Sequence, residues 1–256
     1  MDKVVLVTGT SKGIGYAIAD SLHNAGYKVY GTSRSPNKLD WPVLKLDVTS
    51  EENCRSVVKE IIEAEGRLDA LVNNAGNAVV GPLREMDATH LQLQFGTNVF
   101  GTHRMVRAAL PHLEKHRSNI INIGSFGGRL SIPYQVPYSM SKAAVAMYSD
   151  GLRMELSKTS VRVSLIEPGD TKTNFDAGRI WVSMDEASER AISIMRASEQ
   201  NGADPQRVAK LVHRILKSKK PRGRYLTGSD AKLFGFLQRL LPPGIQQWLI
   251  MRTYKL

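Results

Sequence analysis

The run KVVLVTGTSKGIG, residues 3–15, decides how the rest of the chain is read. Its valines and leucine form a short, continuously apolar stretch that stops at Thr8 and Gly9, as a strand buried on both faces does. Gly9, Gly13 and Gly15 follow, and apolar residues at helical spacing continue to Asn24. A strand that turns through glycines into a helix lets backbone approach a pyrophosphate, whose charge the helix N-terminus stabilises. The spacing differs from G-x-G-x-x-G, and a glycine-rich turn also serves as a plain tight connection between strand and helix.

The same alternation extends outward. Residues 27–33 (YKVYGTS), 41–49 (WPVLKLDVT), 67–76 (RLDALVNNAG), 118–125 (SNIINIGS), 161–169 (VRVSLIEPG) and 224–228 (RYLTG) read as strands. Helices are expected over residues 13–24 with Gly26 as C-terminal cap, and over 50–65 with a serine cap. Further helices are expected over 87–116 with a break at 96–101, over 136–158, and over 205–218 with proline at the first position. Such a rhythm predicts the α/β class: a doubly wound parallel sheet, or Rossmann fold, with right-handed crossovers in one domain. That domain is expected to cover residues 1–228, with an exposed loop at 171–179 and a helical lid at 184–200 inside a substrate cover spanning 171–204. A helical, basic, amphipathic C-terminal extension covers 229–256.

Composition sets further bounds. An apolar share of 42% and a charged share of 23% over 256 residues are ordinary for a globular chain. The one cysteine, Cys54, excludes an internal disulfide, suits a reducing, cytoplasmic setting and sits in a helical stretch as a structural thiol. No apolar run reaches the length of a membrane span, and the N-terminus is unlike a signal peptide. The net charge of +11 is carried by the tail: from residue 205 onward stand 12 Lys or Arg and one acid, Asp230, leaving 23 bases and 23 acids upstream. A neutral body argues against nucleic-acid binding and for an appended basic surface.

Two stretches carry chemistry. In YSMSK, residues 138–142, Tyr138 and Lys142 lie four apart and share a helix face. A phenol titrates near 10, and an adjacent ammonium lowers that, so the pair is either a tunable acid/base or an ordinary surface pair. At the end of the second strand, GTSRS places Ser33 where an NAD site usually holds an acid, and Arg34 follows. With Lys12 as a second cation in the glycine turn, this suits the 2′-phosphate of NADP(H). His112 and His116 are four apart but have no acid or cysteine pattern near them, so no metal site is expected.

Taken together, these stretches resemble the short-chain dehydrogenase/reductase family. Its TGxxxGIG matches residues 8–15, its NNAG residues 73–76, its strand-end acid and hydrophobic residue Asp47 and Val48, its helix asparagine Asn98, its serine Ser125, its YxxxK residues 138–142, and its Pro-Gly residues 168–169. The matches cover residues 3 to about 175. The resemblance implies that Tyr138 exchanges a proton with the substrate oxygen and that Lys142 lowers the pKa of Tyr138 and holds the nicotinamide ribose. Ser125 would bind the substrate oxygen, and Asn98 would keep a relay water in place. Gly9, Ser11, Lys12, Gly13, Ile14 and Gly15 would cradle the pyrophosphate. Asn74, Ala75 and Gly76 would line the cofactor, Asp47 and Val48 the adenine. Pro168, Gly169, Thr171 and Thr173 would meet the nicotinamide end.

Within the family the layout is most similar to the 17β-hydroxysteroid and retinol type, through VYGTSR, the GPL after NNAG and GSFGGRLSIPYQVPY. That implies an apolar steroid, retinoid or fatty carbonyl or alcohol, with Phe126, Ile132, Gln135 and Trp181 in its pocket, and a homodimer or homotetramer packed through the long helices. A dinucleotide-binding regulator without turnover is the competing expectation, which the intact set Asn98, Ser125, Tyr138 and Lys142 disfavours. The tail, KLFGFLQRLLPPGIQQWLIMR at 232–252, interleaves apolar and basic residues as membrane-surface helices do. Being short and interrupted by proline, it reads more readily as a cap over the pocket or a subunit contact.

Overall fold

In the computed structural model, which describes residues 3–173 and 178–256, β1 (Val4–Val7) is buried along its whole length. Its side chains alternate between two layers: Val4 and Leu6 join one core cluster, Val5 and Val7 the other. Seven parallel strands build the sheet: β1, β2 (Lys28–Ser33), β3 (Val43–Lys45), β4 (Ala70–Asn73), β6 (Ser118–Ile123), β7 (Val161–Pro168) and β9 (Arg224–Thr227). Their spatial order is β3-β2-β1-β4-β6-β7-β9. The order reverses between β1 and β4, so a crevice opens beyond the C-terminal ends of those strands.

Helices cover both faces. On one side α2 (Glu51–Glu65), α4 (Gly101–Leu113) and α5 (Val136–Glu155) bury Val57, Ile61, Met105, Val106 and Leu152. On the other, α1 (Gly13–Asn24) and α7 (Gln206–Lys217) bury Ile18, Leu22, Val208 and Val212. Ser50 caps α2 by accepting from Asn53 N, as its position suggested. Cys54 is fully buried in this core and burial pushes its thiol up to about 11, as a packed structural thiol requires.

Local expectations shift by a residue in places. Ala25 closes α1 and Gly26 takes the left-handed turn after it (φ +83°), while Pro205 stands just before α7. The break in the third helical stretch is a π turn, Gly96–Phe100, between α3 (Ala88–Phe95) and α4. Such turns widen a helix by one residue and recur at functional sites. A small second sheet was not foreseen: β5 (Val79–Val80) pairs in parallel with β8 (Ile180–Trp181). Residues 174–177, part of the expected exposed loop and lid, lie outside the described residues. The helix expected as a lid over 184–200 is α6 (Glu186–Gln200), capped by Asp185. The chain ends with α8 (Ser229–Leu240) and α9 (Pro243–Tyr254). Among the described residues no helix is long and apolar enough to cross a membrane.

Candidate active site

The glycine turn is a cradle that only glycine fits. Gly9 adopts φ +73°, and a Cβ on Gly15 would stand 2.1 Å from the Gly9 carbonyl oxygen. The turn is strapped to the loop after β4: Asn74 Nδ2 donates to the carbonyls of Thr8 (2.9 Å) and Gly9 (3.0 Å). Thr8 Oγ1 in turn accepts from the amides of Asn74 (2.9 Å) and Ala75 (3.0 Å). The start of α1 has no side-chain cap and no acid in its first turn, so nothing there opposes an anion at the helix N-terminus.

From this cradle a cleft of about 1040 Å³ runs in two directions. One end is lined by Ser33, Arg34, Lys12, Asp47 and Val48. Burial raises the Asp47 carboxyl, but hydrogen bonds from the Thr49 side chain (2.7 Å) and amide (2.9 Å), with the charges of Arg34 and Arg104, hold it below its ordinary value. The other end holds Ser125, Tyr138 and Lys142. Ser125 follows β6 and caps a short 3-10 turn, accepting from Gly127 N at 3.0 Å. It also hydrogen-bonds the Tyr138 side chain. Lys142, one helical turn after Tyr138, is 7% exposed and donates from Nζ to the Ile123 carbonyl at 2.9 Å.

The electrostatics differ from the expectation drawn from helix spacing. Burial raises the Tyr138 phenol above its ordinary value, the Ser125 hydrogen bond opposing. Lys142 Nζ stands 5.8 Å from the ring centroid and is committed to the Ile123 carbonyl. Burial also lowers Lys142 to about 8. Desolvation therefore outweighs the cation's pull on the phenol among the protein's own groups.

Every other residue expected at the cofactor lines this cleft, from Gly9 and Ser11 through Asn74, Ala75 and Gly76 to Pro168, Gly169, Thr171 and Thr173. Two residues do not. Asn98 is buried behind the wall, where its side chain accepts from Asn77 N (3.0 Å) and donates to Asn77 O (3.1 Å) and Ser141 Oγ (2.9 Å). It ties the loop after β4 to α5. Trp181 lies in β8 and packs with Ala78, Val80, Ile192 and Met195 behind the cleft lining rather than in it, with Arg196 over its ring at 4.5 Å. The pairing of β5 with β8 turns it there. Phe126, Ile132 and Gln135, expected at the substrate, line the cleft with Ser125 and Tyr138.

Several residues escaped the sequence reading. Phe234 and Gln238 of α8, and Leu249, Ile250 and Tyr254 of α9, wall the substrate end, with Phe234 6.4 Å from Phe126 between ring centroids. Asp170, Arg179, Ser198 and Glu199 add a polar corner. Asp170 was within reach of sequence reasoning, since it follows the Pro-Gly directly. Behind the Ser125 turn, Arg129 forms a two-pronged ion pair with the buried Glu167 at 2.8 and 2.6 Å. Arg224 approaches the same carboxylate at 3.6 Å and also pairs with Asp150. His116 Nε2 donates to the Leu68 carbonyl (2.9 Å), and no three metal-ligating side chains cluster among the described residues.

A glycine cradle that leads to a serine–tyrosine pair above a buried lysine marks a family, and the model of the short chain dehydrogenases matches residues 3–180. The chain belongs to the short chain dehydrogenase family. It is thereby an oxidoreductase. A relative from Bacteroides thetaiotaomicron, a 3-ketodihydrosphingosine reductase, is 35% identical over 98% of each chain. The crystal structure of a short-chain dehydrogenase from Streptomyces avermitilis superposes with a TM-score of 0.85 at 34% identity, covering 94% of this chain and 93% of that one. ElxO with NADP bound aligns at 30% identity and a TM-score of 0.74, over 88% and 96%.

Proposed function

We propose that this short-chain dehydrogenase uses NADP(H) to interconvert a carbonyl and an alcohol on an apolar substrate. The observation that carries the reading is the hydrogen-bonded Ser125–Tyr138 pair, over buried Lys142, at the end of a cleft that begins in the glycine cradle. The cofactor fits that cradle: Gly9, Gly13 and Gly15 leave room for a pyrophosphate, and Arg34, Lys12 and Ser33 offer two cations and a hydroxyl to a 2′-phosphate. When bound, it supplies the hydride.

The chain's own groups handle the substrate oxygen. Ser125 Oγ and Tyr138 Oη converge on it and stabilise the charge that develops there. Tyr138, kept protonated by burial, donates its proton in the direction of reduction. Lys142 holds a positive charge one turn below. Asn98 positions the loop and helix on either side rather than touching the reactants.

The substrate reading rests on the apolar wall of Phe126, Ile132, Phe234, Leu241, Leu249 and Ile250, with Asp170 and Tyr254 as polar groups in the same lining. Such a shape suits a fatty ketone with a polar head, the kind of compound named for the Bacteroides relative, ahead of a steroid or retinoid. The exposed Phe100, in the π turn leading into α4, and Met147 and Met154 on α5 support a homodimer or homotetramer through this region.

Tyr138→Phe is expected to abolish turnover while NADPH still binds; retained turnover overturns the mechanism. Arg34→Ala is expected to weaken NADPH by about 1–3 kcal/mol and NADH far less. Titration of both cofactors checks this, and equal weakening removes the 2′-phosphate assignment.

A further inference from the structure

We infer that the outward faces of α8 and α9 form a docking surface for an anionic phospholipid bilayer, at the mouth of the substrate cleft. Helix α9 is apolar on two opposite sides. Gln246, Leu249, Ile250 and Tyr254 wall the cleft, while Ile245, Trp248 and Met251, at successive steps of three, are 46%, 51% and 45% exposed. Helix α8 repeats the division: Phe234 and Gln238 face the cleft, and Phe236 and Leu240, four apart, are 62% and 64% exposed. Gln246 Nε2 donates to the carbonyls of Gln238 (3.1 Å) and Leu241 (2.7 Å), which joins the two helices. The outer residues therefore make one apolar surface, the kind that marks an interaction site.

Charge selects the occupant. From residue 231 to 256 the sequence has four basic residues, Lys232, Arg239, Arg252 and Lys255, and no acid. Arg252 lies over the Trp248 ring at 5.4 Å, pairing a guanidinium with an indole as at a membrane interface. A second copy packed on this face by a two-fold axis would set like charges against each other. Anionic headgroups neutralise them. Because inner and outer residues share the same two helices, a lipid-dissolved substrate has a short path from the bilayer to Tyr138. The path matters for the proposed apolar substrate; the docking itself does not depend on that reading.

Flotation of the full chain with phosphatidylcholine vesicles, with and without phosphatidylglycerol, tests the inference. Binding is expected only with the anionic lipid, weakening as salt rises, with Trp248 emission shifting to the blue. The F236S/W248S double variant and R252E are each expected to lose binding about tenfold or more. Both should turn over a water-soluble ketone as the parent does. Equal flotation of parent and variants overturns the inference. A halved solution mass for F236S/W248S also overturns it, assigning the face to a second copy. A chain that floats but reduces no ketone leaves the docking standing and removes the functional reading instead.

Discussion

Lys142 is a charged group held where water is scarce, and its folded pKa of about 8 lies below the ordinary 10.5. Between those two values the unfolded chain binds more protons than the folded one. The cost of burying the ammonium is therefore full below about pH 8 and is relieved as pH rises toward 10.5. Lys142→Met is expected to raise stability at pH 7 by about 1–3 kcal/mol, the lost Ile123 hydrogen bond offsetting part of the gain. The advantage should fade toward pH 10.5, and turnover should be lost at every pH. Thermal denaturation across pH reads the first and a steady-state assay the second. A lysine that weakens the fold and is kept at this position is what a working site looks like. Its place was legible in YSMSK. The depth of its burial was not, because exposure depends on β6 and the serine turn closing over it from elsewhere in the chain.

At the scale of elements, the turn after β6 and the C-terminal end of β7 are clamped together by Arg129 and Glu167. Gln238 of α8 adds a hydrogen bond to the Arg129 carbonyl at 2.9 Å. Removing one partner of a buried pair leaves the other uncompensated, so Glu167→Gln is expected to cost about 3–5 kcal/mol. The Arg129→Leu/Glu167→Leu double variant should recover most of this, as urea denaturation will show. This clamp was invisible beforehand: its partners stand 38 residues apart and neither belongs to a motif. The strands and their glycine turns were legible for the opposite reason. Each is written in a few adjacent residues as an apolar run ending in glycine or asparagine. The pair β5 and β8 has two residues apiece, too few for any periodicity, and that is why Trp181 was expected at the substrate. Helix α9 is apolar on both sides, so sequence alone did not say which side faced the cleft.

For the whole molecule, the π turn leading into α4 leaves Phe100 51% exposed, and α5 leaves Met147 and Met154 70% and 69% exposed. If copies pack there, Met147→Glu with Met154→Glu should lower the mass in solution by half or more, and analytical ultracentrifugation checks it. The same variant should leave flotation unchanged, since α8 and α9 lie elsewhere. The overall architecture was the most legible level of all, because alternating strands and helices admit few arrangements once crossovers are right-handed. One feature of that architecture bears on the order of events in a catalytic cycle. Ile180 N donates to the Ala78 carbonyl at 2.8 Å and Val182 N to that of Val80 at 2.9 Å, joining the segment beyond the Pro-Gly to the one beyond the cradle's strap. Thr173, earlier in that segment, stands against Gly13, where a Cβ would meet it at 3.3 Å. A nucleotide held in the glycine turn would lie beside Thr173, so ordered kinetics are expected, with the nucleotide first in and last out; product inhibition of the steady-state rate checks the sequence of arrival and departure.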